Sequence, residues 1–279
     1  MTADAGALRD AACEFARAAG AILLEGYGRA HEPERKGRID LVTEYDRRSE
    51  ALLVSLIRGR FPGHAILAEE SGMHDGAARA GGPSGAGASV RWLCDPLDGT
   101  TNFSHNYPFF GVSVGVEVDG ALAAGAVYDP VRDELFAAAA AAGATLNGRP
   151  IRVSGIGRLE DALLVTGFPY DVREEPDRHL PLFKEFLMRA QGVRRDGSAA
   201  LNLCYVAMAR FDGMWEGDLS PWDVAAGSLI VREAGGVVTG YAGDPMRLDG
   251  RRIVTANPTL HARLLEVVAL HPEAGALAR

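Results

Sequence analysis

The stretch Trp92-Leu93-Cys94-Asp95-Pro96-Leu97-Asp98-Gly99-Thr100-Thr101-Asn102-Phe103 constrains what this chain can fold into more than any other. An apolar run reads as a strand that stops at a proline. Two carboxylates flank that proline, a glycine turn follows, and a hydroxyl-bearing residue opens a short helix. Acids straddling a proline at a strand end have no evident packing use. Asp95 and Asp98 are hard oxygen ligands of the kind Mg²⁺ prefers. The backbone N–H groups of Gly99, Thr100 and Thr101, at a positive helix end, suit a phosphate. A carboxylate-held metal beside an anion cradle points to metal-assisted phosphate chemistry.

The rest of the chain supplies the core that such a site needs. With 279 residues, 47% of them hydrophobic, it fits one large domain or two closely packed halves. A formal net charge of −8 speaks against duplex DNA or RNA as principal substrate. Cys13, Cys94 and Cys204 are far apart and form no C-x-x-C pattern, which argues against a disulfide framework or a zinc site. All three read as small hydrophobes inside apolar elements. Met1 to Arg9 carries acid and no apolar run, unlike a signal peptide, and no segment approaches the roughly 20 apolar residues of a membrane span. The expected location is the cytoplasm.

Periodicity predicts a helix over residues 4–27, capped by Asp4, with Leu8, Ala11, Ala12, Phe15, Ala19, Ile22 and Leu23 on one stripe. A short extended entry at 40–43 leads into a helix from about Glu44 to Arg60 with Leu52, Leu53, Leu56 and Ile57 as its apolar side. Ala65–Ala68 reads as a buried strand ending at Glu69-Glu70. The Gly/Ala/Ser-rich segment from His74 to Ser89 reads as a surface loop. Alternating Val112, Val114, Val116 and Val118, with turn signals at Asp119-Gly120 and Asn147-Gly148, make 110–153 β-rich. Beyond it come strands near Val165, Gly213–Glu216, Val237–Thr239 and Ile253–Thr255. Helices are expected over Leu180–Ala190, Ala199–Ala209 and about Asp223–Ala234, with a last one from Pro258. We read a single catalytic unit: an α+β half over about 1–153 and an α/β half over about 154–279, stacked as layers.

Four acidic groups matter if folding brings them together: Asp46, Glu69-Glu70, Asp95 with Asp98, and Asp223. Taken alone, Asp46 and Asp223 are open to the ordinary role of a helix cap, worth about 1 kcal/mol, and Glu69-Glu70 to that of a solvated pair. Converging at one rim of a sheet, these carboxylates would repel one another unless cations neutralised them. Gly111-Val112-Ser113-Val114-Gly115 fits the G-x-S-x-G pattern of serine hydrolases, but alternation continues through Val118, so Ser113 reads as a strand residue rather than a nucleophile elbow.

The segments Asp40-Leu41-Val42-Thr43-Glu44-Tyr45-Asp46, Glu69-Glu70, Asp95 through Phe103, and Trp222-Asp223-Val224-Ala225-Ala226-Gly227, in this order, resemble the inositol monophosphatase family of Mg²⁺-dependent, lithium-sensitive phosphatases. The resemblance spans almost the whole chain. It implies a layered α-β-α-β-α sandwich of the sugar-phosphatase type, two or three Mg²⁺ ions and a homodimer. It implies that Glu69, Asp95 and the Leu97 carbonyl hold one ion, that Asp95, Asp98 and Asp223 hold a second, and that Glu69 helps a third through water. Thr100 with Asp46 would orient and deprotonate the attacking water, and the N–H groups of Gly99 and Thr100 would bind phosphate. Asp98, Gly197, Ser198, Ala199 and Glu216 match positions that touch the polyol. Glu70 would support the ligands from behind, and Lys36 matches a mobile loop near the metals. The implied substrate is a phosphorylated polyol or sugar, inositol monophosphate first. Fructose 1,6-bisphosphate, histidinol phosphate and 3′-phosphoadenosine 5′-phosphate are the rivals. A different role, partnership with the transcription machinery, is implied by some bacterial relatives.

Overall fold

The computed structural model describes residues 4–29, 33–35, 41–76, 88–169, 171–249 and 252–275. The first part of the chain runs α1 (Ala5–Gly26), β1 (Glu34–Arg35), β2 (Leu41–Val42), α2 (Glu44–Arg60), β3 (Ala65–Ala68), β4 (Gly72–His74), β5 (Val90–Asp98), α3 (Thr100–Ser104), β6 (Gly111–Val118), β7 (Ala121–Asp129), β8 (Glu134–Ala139), β9 (Ala144–Leu146) and β10 (Arg149–Pro150). There follow β11 (Leu163–Val165), α4 (Pro176–Arg189), β12 (Gly192–Arg194), α5 (Ala199–Ala207), β13 (Gly213–Gly217), α6 (Pro221–Glu233), β14 (Val237–Thr239), β15 (Arg252–Ala256) and α7 (Pro258–Val268).

Eight strands form one sheet in the order β10-β9-β8-β7-β6-β5-β3-β4, antiparallel except for the β3–β5 pair. Five strands form a second, β12-β11-β13-β15-β14, in which β11 runs parallel to both neighbours. Helices α1 and α2 cover one face of the large sheet. The α5–α6 pair fills the space between the sheets, and α4 with α7 closes the far side. The order of layers is therefore α-β-α-β-α, as the resemblance implied. Three apolar clusters fill the gaps. One lies under α1 and α2 around Phe15 and Trp92, one surrounds α5 and α6 between the sheets, and one sits beneath α4 and α7 around Phe186 and Trp215.

The alternation in β6 sets how closely the layers approach. Val112, Val114 and Val116 face α1 and α2, while Gly111, Ser113 and Gly115 take the other face, where α6 lies. Gly115 stands opposite Gly125 of β7 in the ladder. A β-carbon at Gly115 would lie 2.6 Å from Ala225 Cβ, and one at Gly125 would lie 2.8 Å from the Cα of Ala226. The glycine pair thus lets the first turns of α6 rest directly on the sheet. On its other side, Gly227 admits Leu203 of α5, whose Cβ would be 2.7 Å from any side chain at 227.

Several boundaries differ from the sequence expectation. Helix α4 begins at Pro176 rather than Leu180: Pro176 occupies its first turn and Pro181 lies inside it. Helix α6 begins at Pro221, so Asp223 sits within its first turn. Cys94 and Cys204 are buried, but Cys13 is only partly so, with burial pushing its thiol up to about 11. Much of the expected 74–89 loop lies outside the described residues. Among them, no helix is long and apolar enough to cross a membrane.

Valine ordinarily favours strands, so Gly125→Val separates propensity from close packing. We expect it to destabilise the protein by about 1–3 kcal/mol, the usual cost of overfilling a packed interface, as measured by urea unfolding.

Candidate active site

Strand β5 carries the centre of the site. Residues three apart on a regular strand point to opposite faces. Asp95 pairs with Ser113, whereas Asp98 pairs with Gly111, so the stretch containing Pro96 and Leu97 holds one residue more than its partner strand. This bulge restores parity, and both carboxylates line one cleft of roughly 430 Å³. Pro96, which has no N–H for a ladder bond, sits within the irregularity in the middle of a sheet. The Leu97 N–H closes a turn onto Asp95 Oδ1 at 2.9 Å, and Ser49 of α2 donates to the Pro96 carbonyl at 2.9 Å.

Gly99 follows with φ 99°, left-handed backbone that favours glycine. A β-carbon there would also stand 3.1 Å from the Phe109 carbonyl. The turn opens α3, whose first N–H groups have no intrahelical acceptor; Gly99, Thr100 and Thr101 all line the cleft. Asn102 staples this turn to the opposite wall, donating from Nδ2 to the carbonyls of Phe109 and Asp196, each at 2.7 Å.

Three helix starts bring the remaining groups. In α2, Asp46 is fully buried; its Oδ2 accepts from the Thr43 N–H and hydroxyl at 2.8 and 2.6 Å. Its Oδ1 accepts from Thr100 Oγ1 at 3.1 Å, and the same hydroxyl lies 3.1 Å from the Leu97 carbonyl. At α5, Asp98 Oδ2 accepts from Ser198 Oγ at 2.6 Å and the Ala200 N–H at 2.7 Å, and its Oδ1 accepts from the Ala199 N–H at 3.3 Å. At α6, Asp223 Oδ2 accepts from the Ser220 N–H at 2.7 Å. Ser113 sits in mid-strand as expected and donates to the carbonyl of Trp222, the residue before Asp223.

Glu69, Asp95, Leu97, Asp98, Gly99, Thr100, Gly197, Ala199, Glu216 and Asp223 share the cleft wall. Ser198 is 1% exposed, its hydroxyl committed to Asp98 and to the Leu201 N–H, so the side chain has no open face toward a substrate. Glu70 lies outside the cleft, its N–H donating to Glu50 Oε2 at 2.7 Å. Lys36 lies outside the described residues. The sequence reading passed over Ser49 and Glu50, although the spacing Asp46, Ser49/Glu50, Leu53, Ile57 marks the inward face of α2. Arg195, in the cleft wall beside Gly197, was signalled only by the basic pair Arg194-Arg195. Another group of metal-type ligands, Asp171, His179 and Asp218, offers ligand atoms within 4.8 Å of one another. There Arg178 already pairs with Asp171 and Asp218, at 3.5 and 3.1 Å.

Burial is the leading influence on Asp95, Asp98, Glu216 and Asp223, and like charge adds to it at Asp95, Glu216 and Asp223. Asp95 is held well above the usual carboxylate range by burial and then by the charges of Glu69, Asp98 and Asp223. Asp223 is raised likewise by burial and by Asp98. Asp98 is raised only to about 6, because the Ser198 hydroxyl and the α5 N–H groups favour its charged form. Asp46 also stands at about 6, burial outweighing the bonds from Thr43. Glu216 is pushed up to about 8 by burial and by Asp98, with Arg195 opposing. The donor set of Glu69, Asp95, Asp98, Asp223 and the Leu97 carbonyl is all oxygen and includes four carboxyl groups. It fits Mg²⁺ rather than a softer metal.

The layered fold and a carboxylate-lined cleft beside a glycine turn define a metal-dependent phosphoric monoester hydrolase. The sequence profile of the inositol monophosphatase family matches residues 4–273, and the chain belongs to that family. It is 46% identical over 263 residues to an inositol-1-monophosphatase of Synechocystis sp., covering 94% of this chain and 88% of that protein. To the Nus factor SuhB of Pseudomonas aeruginosa it is 42% identical over 264 residues, covering 93% and 95%. Among solved structures, an inositol monophosphatase from Anabaena (Nostoc) aligns with TM-score 0.84 and 43% identity, covering 98% and 99%. The extragenic suppressor protein SuhB of Bartonella henselae aligns with TM-score 0.87 and 37% identity, covering 94% and 98%.

A carboxyl raised in the folded state keeps its proton there, so the stability it contributes is present at low pH and is lost as pH climbs through the folded value. Metal-free protein should therefore lose thermal stability as pH climbs from about 4 through about 6 (Asp98) and about 8 (Glu216), with Asp95 and Asp223 acting in the same direction. Mg²⁺ binds the charged forms, so its stabilising effect should be larger at the alkaline end. Melting curves with chelator and with Mg²⁺ across this range check both signs.

Proposed function

We propose that the protein is an inositol-1-monophosphatase, releasing myo-inositol and phosphate, and that it works in the cytoplasm as a homodimer and a single catalytic unit. The observation that carries the reading is the convergence of acids from residues 69, 95, 98 and 223 on one cleft beside the Gly99–Thr100 turn. The name of the Synechocystis relative supports the substrate.

In this reading Glu69, Asp95 and the Leu97 carbonyl would hold one Mg²⁺, Asp95, Asp98 and Asp223 would hold a second, and Glu69 would assist a third. When bound, the ions supply an acidified water and offset the charge that builds on the leaving oxygen. The protein's own groups do the rest. Thr100 Oγ1 accepts a proton from the attacking water and passes its own to Asp46 Oδ1. That oxygen is available because Thr43 occupies Oδ2. A carboxyl standing at about 6 is a serviceable base near neutrality. The N–H groups of Gly99 and Thr100 hold the phosphoryl oxygens in line with the attack. Among the described residues neither cysteine nor histidine lines the cleft, which favours direct attack by water over a phosphoenzyme. Glu216 and the backbone at Gly197–Ala199 meet the polyol, and the departing alkoxide takes its proton from water.

Asp95→Asn and Asp223→Asn should each abolish turnover and Mg²⁺-dependent thermal stabilisation while the fold survives by circular dichroism. Near-normal turnover at saturating Mg²⁺ would count against the reading, as would indifference to tens of millimolar Li⁺ (about the range for a hard-cation site of modest affinity). In a panel with fructose 1,6-bisphosphate, histidinol phosphate and 3′-phosphoadenosine 5′-phosphate, inositol 1-phosphate should give the highest kcat/KM. A clearly higher value for histidinol phosphate would overturn the substrate assignment.

The relatives named Nus factor SuhB favour a second reading, in which this chain also binds the transcription machinery. Full retention of its cellular role by the inactive Asp95→Asn variant would support that reading.

A further inference from the structure

The polyol end of the cleft depends on an absent side chain. Glu216 lies in β13, its backbone fixed by pairing with Ile253 of β15. The residue is 8% exposed and lines the cleft, and Oε2 of its side chain has no hydrogen-bond partner. A buried carboxyl oxygen left without a partner is costly unless a ligand supplies one.

Gly167 stands beside it. Strands β11 and β13 run parallel with Val165 opposite Met214, and that register carries Gly167 alongside Glu216. Thr166, between them, donates to the Trp215 carbonyl at 2.6 Å and extends the alignment past the last ladder pair. A β-carbon at 167 would lie 1.9 Å from Glu216 Oε1, 2.4 Å from Cδ and 2.9 Å from Oε2. These are the three nearest atoms it would meet, and the backbone there is outside the left-handed region. The conflict is therefore with the tip of one flexible side chain. Alanine at 167 fits the fold and displaces the carboxyl.

We propose that Gly167 is a positioning residue that sets specificity. Its missing side chain keeps the Glu216 carboxyl standing in the cleft, where it accepts hydrogen bonds from a hydroxyl-rich leaving group. The inference rests on the reading of Glu216 as a polyol contact.

The test compares Gly167→Ala, Glu216→Ala and the double variant on inositol 1-phosphate and on p-nitrophenyl phosphate, whose leaving group carries no additional hydroxyls. Melting temperature is the second readout. Gly167→Ala should melt with the parent protein and raise the KM for inositol 1-phosphate by about tenfold, the loss of one hydrogen bond. Its kcat/KM for p-nitrophenyl phosphate should change by less than about twofold. In the Glu216→Ala background the glycine substitution should add nothing, because its effect runs through that carboxyl. An unchanged KM in Gly167→Ala, with Glu216→Ala impaired, overturns the role of Gly167 and spares the polyol reading. An unimpaired Glu216→Ala overturns the polyol reading itself. Equal losses on both substrates, or a lowered melting temperature, would mark Gly167 as merely structural and overturn the proposal.

Discussion

Mutual repulsion among buried carboxylates is the constraint around which this molecule is arranged. Asp95 and Asp98 are nearly out of water and Asp223 partly so; Asp98 and Asp223 both raise the resistance of Asp95 to ionisation, and Asp98 raises that of Asp223. Left to themselves, such groups would move apart or keep their protons. The fold answers with fixed dipoles at some positions: the α5 N-terminus and Ser198 hydroxyl hold Asp98, and the Ser220 N–H holds Asp223. Asp95 receives a single N–H from Leu97, fewer donors than Asp98 has.

Holding the acids near one another is a problem of layer spacing as much as of charge. Asp223 rides on α6, which reaches the large sheet only because Gly115 and Gly125 present no side chains beneath Ala225 and Ala226. Gly227 gives α5 the same access from the other side, and α5 holds Asp98. Small residues in two strands and one helix therefore determine where Asp98 and Asp223 stand. Asn102 closes the arrangement by tying the α3 turn to the Asp196 carbonyl.

Much of this was legible in the sequence, and the reasons for the rest are specific. The strand-proline-acid-glycine order around Asp95 announces its chemistry because few packing arrangements use it. The valines of β6 show their alternation plainly, yet the glycine and serine between them give no sign that a helix rests there. Nothing in the chain announces that Pro96-Leu97 forms a bulge, since that depends on the partner strand. Ser49 and Glu50 were concealed by attention to the apolar side of α2, whose inward face begins polar and only then becomes leucine and isoleucine. Ser198 was assigned to the substrate by resemblance; its hydroxyl proves to be committed to Asp98 and the α5 backbone. Lys36 falls outside the described residues.

The bulge between Asp95 and Asp98 carries a consequence for how this chain can change over time. Substitution alters one side chain, but a single-residue insertion or deletion reverses the facing of everything on one side of it. Loss of Leu97 would leave both aspartates in the chain and send one of them to the opposite surface of the sheet. The segment is thus locked in length more tightly than in composition. Homologous drift can reword this stretch far more readily than it can lengthen or shorten it.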